Sequence, residues 1–446
     1  MRRWALPGVL LTVAVILIVV SAFALLPRSA HAPAHRADPI AAPLTTQPAG
    51  AAASKNSLAA AIAKGQARLR QVPRDYATWA SLGSSYVQQG RITADPSYYP
   101  KAQGALERSI ALNSTDNWQG LAAMGALANA RHDFARALVW GRKAVAVDSY
   151  SAYSYGVIAD AQTQLGDYPG ARASIQKMLD LKPGISSFTR ASYDFEEHGQ
   201  VGPAGDALTQ ALGQATDPAD IAFCRYYLGE LAFNEGDLTG AASQYARGVA
   251  ADPSYTLLLA GRAKLEAARG DSAAAVRDYA LVVQRVPLPQ FVVEYGELLQ
   301  SLGRTAQAQQ QYALLATEQR LFTANGVIDD LTGAQFAADH GAPAEAVAHA
   351  RAEWSRRHSV LVADALAWAL HRAGKDAEAL SYADKAMSLG WRNATFFYHR
   401  GMIESALGER AAARADLAQA LRTNPHFSPL QAPVARRALA QLGGVA

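Results

Sequence analysis

The chain has 446 residues, half of them hydrophobic, with 8% aromatic and 18% charged side chains and a formal net charge of +4. So apolar and weakly charged a composition excludes a disordered chain and suits closely packed helices. Arg2, Arg3, Arg28 and Arg36 against Asp38 account for +3 of that charge. The remainder is nearly neutral and lacks the basic stripe that nucleic-acid binding requires.

Residues 1–7 form a short tail bearing Arg2 and Arg3. Residues 8–26, GVLLTVAVILIVVSAFALL, are 19 residues without a charge. A helix rising about 1.5 Å per residue over that length nearly spans a hydrocarbon layer of roughly 30 Å. The run is therefore read as an uncleaved transmembrane anchor. A cleaved signal peptide is the alternative, since Ala30-His31-Ala32 offers a small-x-small site, but Pro33 would follow the cut. The positive charges before the run favour a cytoplasmic N-terminus and a body outside a bacterial cell membrane. Residues 27–55, rich in Pro, Ala and Thr, read as a flexible tether. His31 and His35 lie there without cysteine or carboxylate partners and are not read as metal ligands.

From residue 76 to 425 one pattern recurs. Alanine returns at Ala102, Ala137, Ala171, Ala204, Ala241, Ala275, Ala308, Ala346, Ala379 and Ala413, at intervals of 33 to 38 residues. A period of this length marks stacked supersecondary units rather than one globular core. With that alanine as position 20, position 15 is glycine in nine of the ten units and His132 in the other. Glycine there predicts a first helix ending in a left-handed residue before a second helix starts. Proline at Pro183, Pro253, Pro287 and Pro425 predicts the stop after the second helix. The alanine marks a close approach of two helix backbones.

Trp79, Leu82, Gly83 and Tyr86 read W-x2-L-G-x2-Y, and Leu228-Gly229, Tyr295-Gly296 and Arg400-Gly401 keep the small residue in register. These residues resemble the tetratricopeptide repeat family. The resemblance implies an all-α, tetratricopeptide-repeat superhelical solenoid, here with an N-terminal transmembrane helix: a half repeat at 56–73, ten repeats over 76–425, and a capping helix within 426–446. Ala67–Arg91 is also similar to the repeat region of membrane-anchored assembly factors for c-type cytochromes. Three places carry extra residues: ITADPSYYP between Gly90 and Ala102, and the stretches near Thr216–Ala219 and Leu321–Gly326. Such insertions are expected as tolerated surface loops on one face; the alternative for the first is that Tyr98 and Tyr99 cover or extend a groove.

No metal-ligand, phosphate-loop, nucleophile-elbow or paired-cysteine motif occurs, so neither cofactor nor metal is expected and the chain is read as no enzyme. Cys224, next to Phe223 on a first helix, reads as a buried thiol. Glu196-Glu197-His198, just before Gly199, reads as a solvated helix end. In the resembled family the first helices line a concave surface. On this chain the inward positions carry Tyr193, Tyr226, Tyr227, Glu230, Phe233, Trp368 and Tyr398, the residues expected to line a partner-binding groove. Aromatics at this spacing also suit packing between helices. The lysines and asparagines with which some members clamp an acidic tail are absent: Ala80, Ser84, Ala122 and Ala126 stand in those places. An acidic, aromatic groove suits a basic or proline-containing extended segment of a partner protein. The expected function is a non-catalytic scaffold or assembly factor of the cell envelope, with binding of a small molecule or cell-wall glycan as the alternative. Self-association is left open.

Overall fold

The structure, a computed structural model, describes residues 51–444, with side chains from residue 58. The apolar run 8–26 and most of the tether lie outside the described residues, and no helix among the described residues is long and apolar enough to cross a membrane.

Those residues form 22 helices and no strand. α1 (Ala51–Gln71) stands alone. It takes up residues 51–55, which composition had assigned to the tether; Ala51, Ala52 and Ala53 are strong helix formers. Ten hairpins follow: α2 (Tyr76–Thr93) with α3 (Tyr98–Leu112), α4 (Trp118–Ala130) with α5 (Phe134–Val147), α6 (Ala152–Leu165) with α7 (Tyr168–Leu181), α8 (Ile185–Glu197) with α9 (Val201–Gln214), and α10 (Pro218–Asn234) with α11 (Leu238–Ala251). The second five are α12 (Thr256–Ala268) with α13 (Ser272–Arg285), α14 (Pro289–Ser301) with α15 (Thr305–Ala324), α16 (Asp330–Asp339) with α17 (Pro343–Trp354), α18 (Val360–Arg372) with α19 (Asp376–Ala386), and α20 (Ala394–Leu407) with α21 (Arg410–Thr423). α22 (Gln431–Gln441) packs on α21 and ends the stack.

The local chemistry explains each hairpin. Gly166 ends α6 at φ +85, a left-handed conformation that costs an L side chain about 1–2 kcal/mol. The next residue, Asp167, accepts from the Gly170 amide and so caps α7; Asp133, Asp237 and Asp271 do the same for α5, α11 and α13. All ten recurring alanines are at most 1% exposed. At the small position of the first helix, a Cβ on Gly229 would lie 2.3 Å from the ring of Tyr245, so the second helix needs that space.

The insertions do not form loops. Residues 91–93 lengthen α2, and the left-handed residue moves from Gly90 to Ala94 (φ 54). Tyr99 is buried, and Tyr98 packs on Tyr86 with ring centres 6.0 Å apart, so neither covers a groove. The extra residues near 216–219 and 321–326 extend α10 at its start and α15 at its end. A few more residues in a helix keep the backbone amides paired, which an irregular loop would not.

The two helices of a hairpin face different surroundings. In α18 the eleven residues from Val360 to Leu370 are all buried, whereas α19 buries only Ala379, Ala383 and Ala386. First helices in the middle and later hairpins are enclosed over most of their surface, and second helices show an outer face to water.

Enclosure comes from contacts between units far apart in sequence. The turn of the second hairpin sits on the α15–α16 connection: the Ile328 amide donates to the Arg131 carbonyl at 3.0 Å. The third turn meets the α17–α18 connection, where the His358 amide donates to the Leu165 carbonyl and the Val360 amide to the Tyr168 hydroxyl (2.8 Å). The fourth turn, at Gly199, lies against Gly390, and the Asn424 amide side chain donates to the Phe233 carbonyl at the fifth (2.8 Å). Each step advances one unit on both sides, so successive turns of the superhelix touch along a regular seam.

Candidate partner-binding site

The first helices present their inner residues to a space that the seam closes. In consequence the seven residues expected to line an open groove are buried: none of Tyr193, Tyr226, Tyr227, Glu230, Phe233, Trp368 and Tyr398 exceeds 8% exposure. As a free surface this expectation is corrected, because a superhelix wound until its turns touch leaves its concave face no depth of solvent.

Four of the seven do come together on α10. Tyr226 and Tyr227 meet edge to face, with ring centres 5.1 Å apart. The Tyr245 hydroxyl donates to Glu230 Oε1 at 2.6 Å, and Lys264 Nζ donates to Glu230 Oε2 at 2.5 Å. That ammonium also stands 5.0 Å from the Phe233 ring centre. Burial opposes the charge of Lys264, yet Glu230 and Glu294 hold its pKa above the ordinary value. Trp368 and Tyr398 form a separate cluster: the indole donates to Asp339 Oδ1 (2.8 Å) and stacks on His399 at 4.2 Å. His399 in turn bonds Asp364. Tyr193 pairs instead across the seam with Trp391, 6.0 Å away.

The interior is polar as well as aromatic. Arg190 forms a bidentate pair with Asp160 at 2.7 and 2.8 Å. Arg357 pairs with Glu353, both buried, and reaches Gln164 across the seam. Such pairs are satisfied and do not face solvent, so they act in packing and register. Cys224 is buried as expected, and burial pushes its thiol up to about 12. No group of three or more His, Cys, Asp and Glu among the described residues is arranged to hold a metal ion.

One recess opens on the seam, where the C-terminal ends of α8 and α10 meet the start of α20 and the turn before α22. Its walls include Glu196, Phe233, Asn234, Trp391, Arg392 and Phe427, and it is a small recess, open to solvent at its mouth. The Asn234 side-chain amide donates to Glu196 Oε1 at 3.1 Å. Burial, opposed by that bond and assisted by Glu235 and Glu230, raises the Glu196 carboxyl to about 7. Burial likewise pushes Glu197 well above its ordinary value. Of the acidic pair before Gly199, Glu197 is therefore buried and Glu196 half-buried, which corrects the expected solvated helix end. Sequence reasoning could not assemble this recess, because Trp391 and Phe427 come from units about 190 residues away. The only local hint was two adjacent carboxylates where an exposed helix end would need none.

No family model matches the chain, and no curated protein matches it. Among solved structures it is similar to a tetratricopeptide repeat protein from Parabacteroides merdae, at 20% identity over 58% of this chain and 99% of that one, with a TM-score of 0.35. A second such protein, from Thermus thermophilus, is 20% identical over 42% of this chain and 97% of that one, with a TM-score of 0.36. Human IFIT1 bound to PPP-AAAA is 13% identical over 83% and 86%, with a TM-score of 0.43. The hairpins themselves define the class: units of about 34 residues, a buried alanine in each second helix, and a left-handed residue in each turn make this an all-α helical-repeat solenoid of tetratricopeptide-like hairpins.

Proposed function

We propose that the chain is a non-catalytic interaction scaffold of the bacterial cell envelope, held at the membrane by residues 8–26, and that it grips an extended, basic segment of a partner protein at the seam rather than in a concave groove. The recess between Glu196 and Trp391 carries this reading. It is solvent-open, it carries aromatic walls and the Glu196 carboxylate, and four elements converge on it. Backbone positions packed from both sides lose little entropy when a partner docks, which favours binding there. The glycan alternative needs ring faces turned to solvent; Tyr226, Tyr227 and Tyr245 pack on one another instead.

Site-specific photo-crosslinking in intact cells tests the proposal. A crosslinker at Arg392, on the rim of the recess, is compared with one at Arg136, on the outer face of α5. Capture of one discrete protein from position 392 alone supports a seam-bound partner. Capture from 136 alone moves the partner to the outer helices. Capture of no protein from either position overturns the scaffold.

A further inference from the structure

We propose that the seam recess is a binding site for a primary ammonium group, with Glu196 as its counter-charge and the Phe233, Trp391 and Phe427 rings as its walls. This deepens the scaffold reading by naming the group of the partner that would enter.

Charge is the first argument. The charged groups around Glu196 are already matched: Glu235 is bound by Arg392 at 2.9 Å, Glu230 by Lys264, and Asp194 by Arg172 at 2.8 Å. Glu196 has the Asn234 amide but no cation within ion-pair distance among the described residues. Next to it on α8, Glu197 is fully enclosed beside Tyr193. A half-buried carboxylate without a cation has lost part of its hydration, and an incoming positive charge offsets that loss.

Backbone and rings point the same way. α8 and α10 both direct their C-terminal ends at the recess, and the carbonyl ends of helices attract cations. The opposing amino end of α20 is already occupied, since Asn393 Oδ1 accepts from the Thr395 and Phe396 amides. Aromatic faces attract a desolvated cation. The fold itself builds this arrangement with its own lysine: Lys264 sits against the Phe233 ring and is held by Glu230.

Geometry selects ammonium over its rivals. A guanidinium seeks both oxygens of a carboxylate, but one Glu196 oxygen already accepts from Asn234. An ammonium is a compact point charge that needs only one. A divalent metal would require further oxygen ligands, and the recess supplies a single carboxylate.

Calorimetric titration of the full chain decides the matter. The probes are an acetylated, amidated Ala-Lys-Ala peptide and n-butylammonium, with the Nε-acetyl-lysine and arginine forms of the peptide as controls. The expected result is binding of the lysine peptide, at least tenfold weaker binding of both controls, and at least tenfold loss in Glu196→Gln, which keeps the Asn234 bond. Because ionised Glu196 is the binding form, titration at pH 6.5 in buffers of different ionisation enthalpy should show proton release, absent in the variant. If butylammonium also binds, the ammonium alone suffices; if only the peptide binds, the polypeptide presents it; either result supports the site. Lysine-peptide binding that survives in Glu196→Gln, or none at millimolar concentration to a chain with native melting, overturns it. Partner capture at position 392 together with failed peptide binding would remove the ammonium site and leave the scaffold standing.

Discussion

The turn at Gly199 and the turn at Gly270 are built alike, with glycine at φ +69 and +85 between a first and a second helix. Around Gly270 nothing lies within 4 Å of where a Cβ would be; at Gly199 a Cβ would meet the Gly390 carbonyl oxygen at 2.4 Å. Gly166 shares the crowding of Gly199, and Gly303, Gly374 and Gly408 share the openness of Gly270. One set of glycines thus serves only its own hairpin, and the other also serves the seam. A solenoid in which units touch only their neighbours behaves as a one-dimensional chain. Here the seam links each of the second to fifth units with the connection about 190 residues later, adding cooperativity that a linear stack lacks.

The sharpest way to break the contrast is Arg357→Ala. It removes one of the two arginines that pair with the buried Glu353 (Arg356 remains), the Gln164 contact across the seam and the packing on the Phe134 ring, and the cavity and lost bonds together should cost about 3–5 kcal/mol by chemical denaturation. Hydrogen exchange should then quicken first at the Ile328, His358 and Val360 amides, which donate across the seam. Gly199→Ala comes next. It carries the left-handed strain of any such substitution plus overpacking of about 1–3 kcal/mol against the Gly390 backbone. Gly270→Ala should show the strain alone, about 1–2 kcal/mol, with seam amides unchanged. Equal losses in the two variants would mean that the seam adds nothing.

Titration sharpens the comparison further. Glu196 is raised by burial from its ordinary value to about 7, so its contribution to stability is complete below about pH 4.5 and is lost as the pH rises through 7. Unfolding followed from pH 4.5 to 8 should therefore fall less steeply in Glu196→Gln than in the native chain. Glu404, also raised to about 7 by burial but far from the recess, keeps a residual slope in both. The smallest effect belongs to Arg392→Ala: its pair with Glu235 is partly exposed, so about 0–1 kcal/mol is expected in melting, although the pair spans the seam.

How much of this was legible varies by residue. Ala241, fully buried between helices, and Gly236, left-handed at φ 76, could be read from a period and two elementary constraints, because each acts within about 35 residues. Tyr226 and Phe233 were placed on the inner side of α10, yet whether that side met solvent depended on how tightly the superhelix winds. Trp391 gave no local sign of its role beside Tyr193.

The sequence by itself determined the hairpins: where each begins, turns and stops, and which small residues let helices touch, since capping, left-handed φ and backbone approach are short-range. Only the tertiary structure decided that successive turns meet, that the expected groove is filled, and that Glu196 faces a recess roofed by distant units. Winding is a sum of small rotations between neighbouring units, and no single residue encodes that sum; the packing of many side chains against one another settles it.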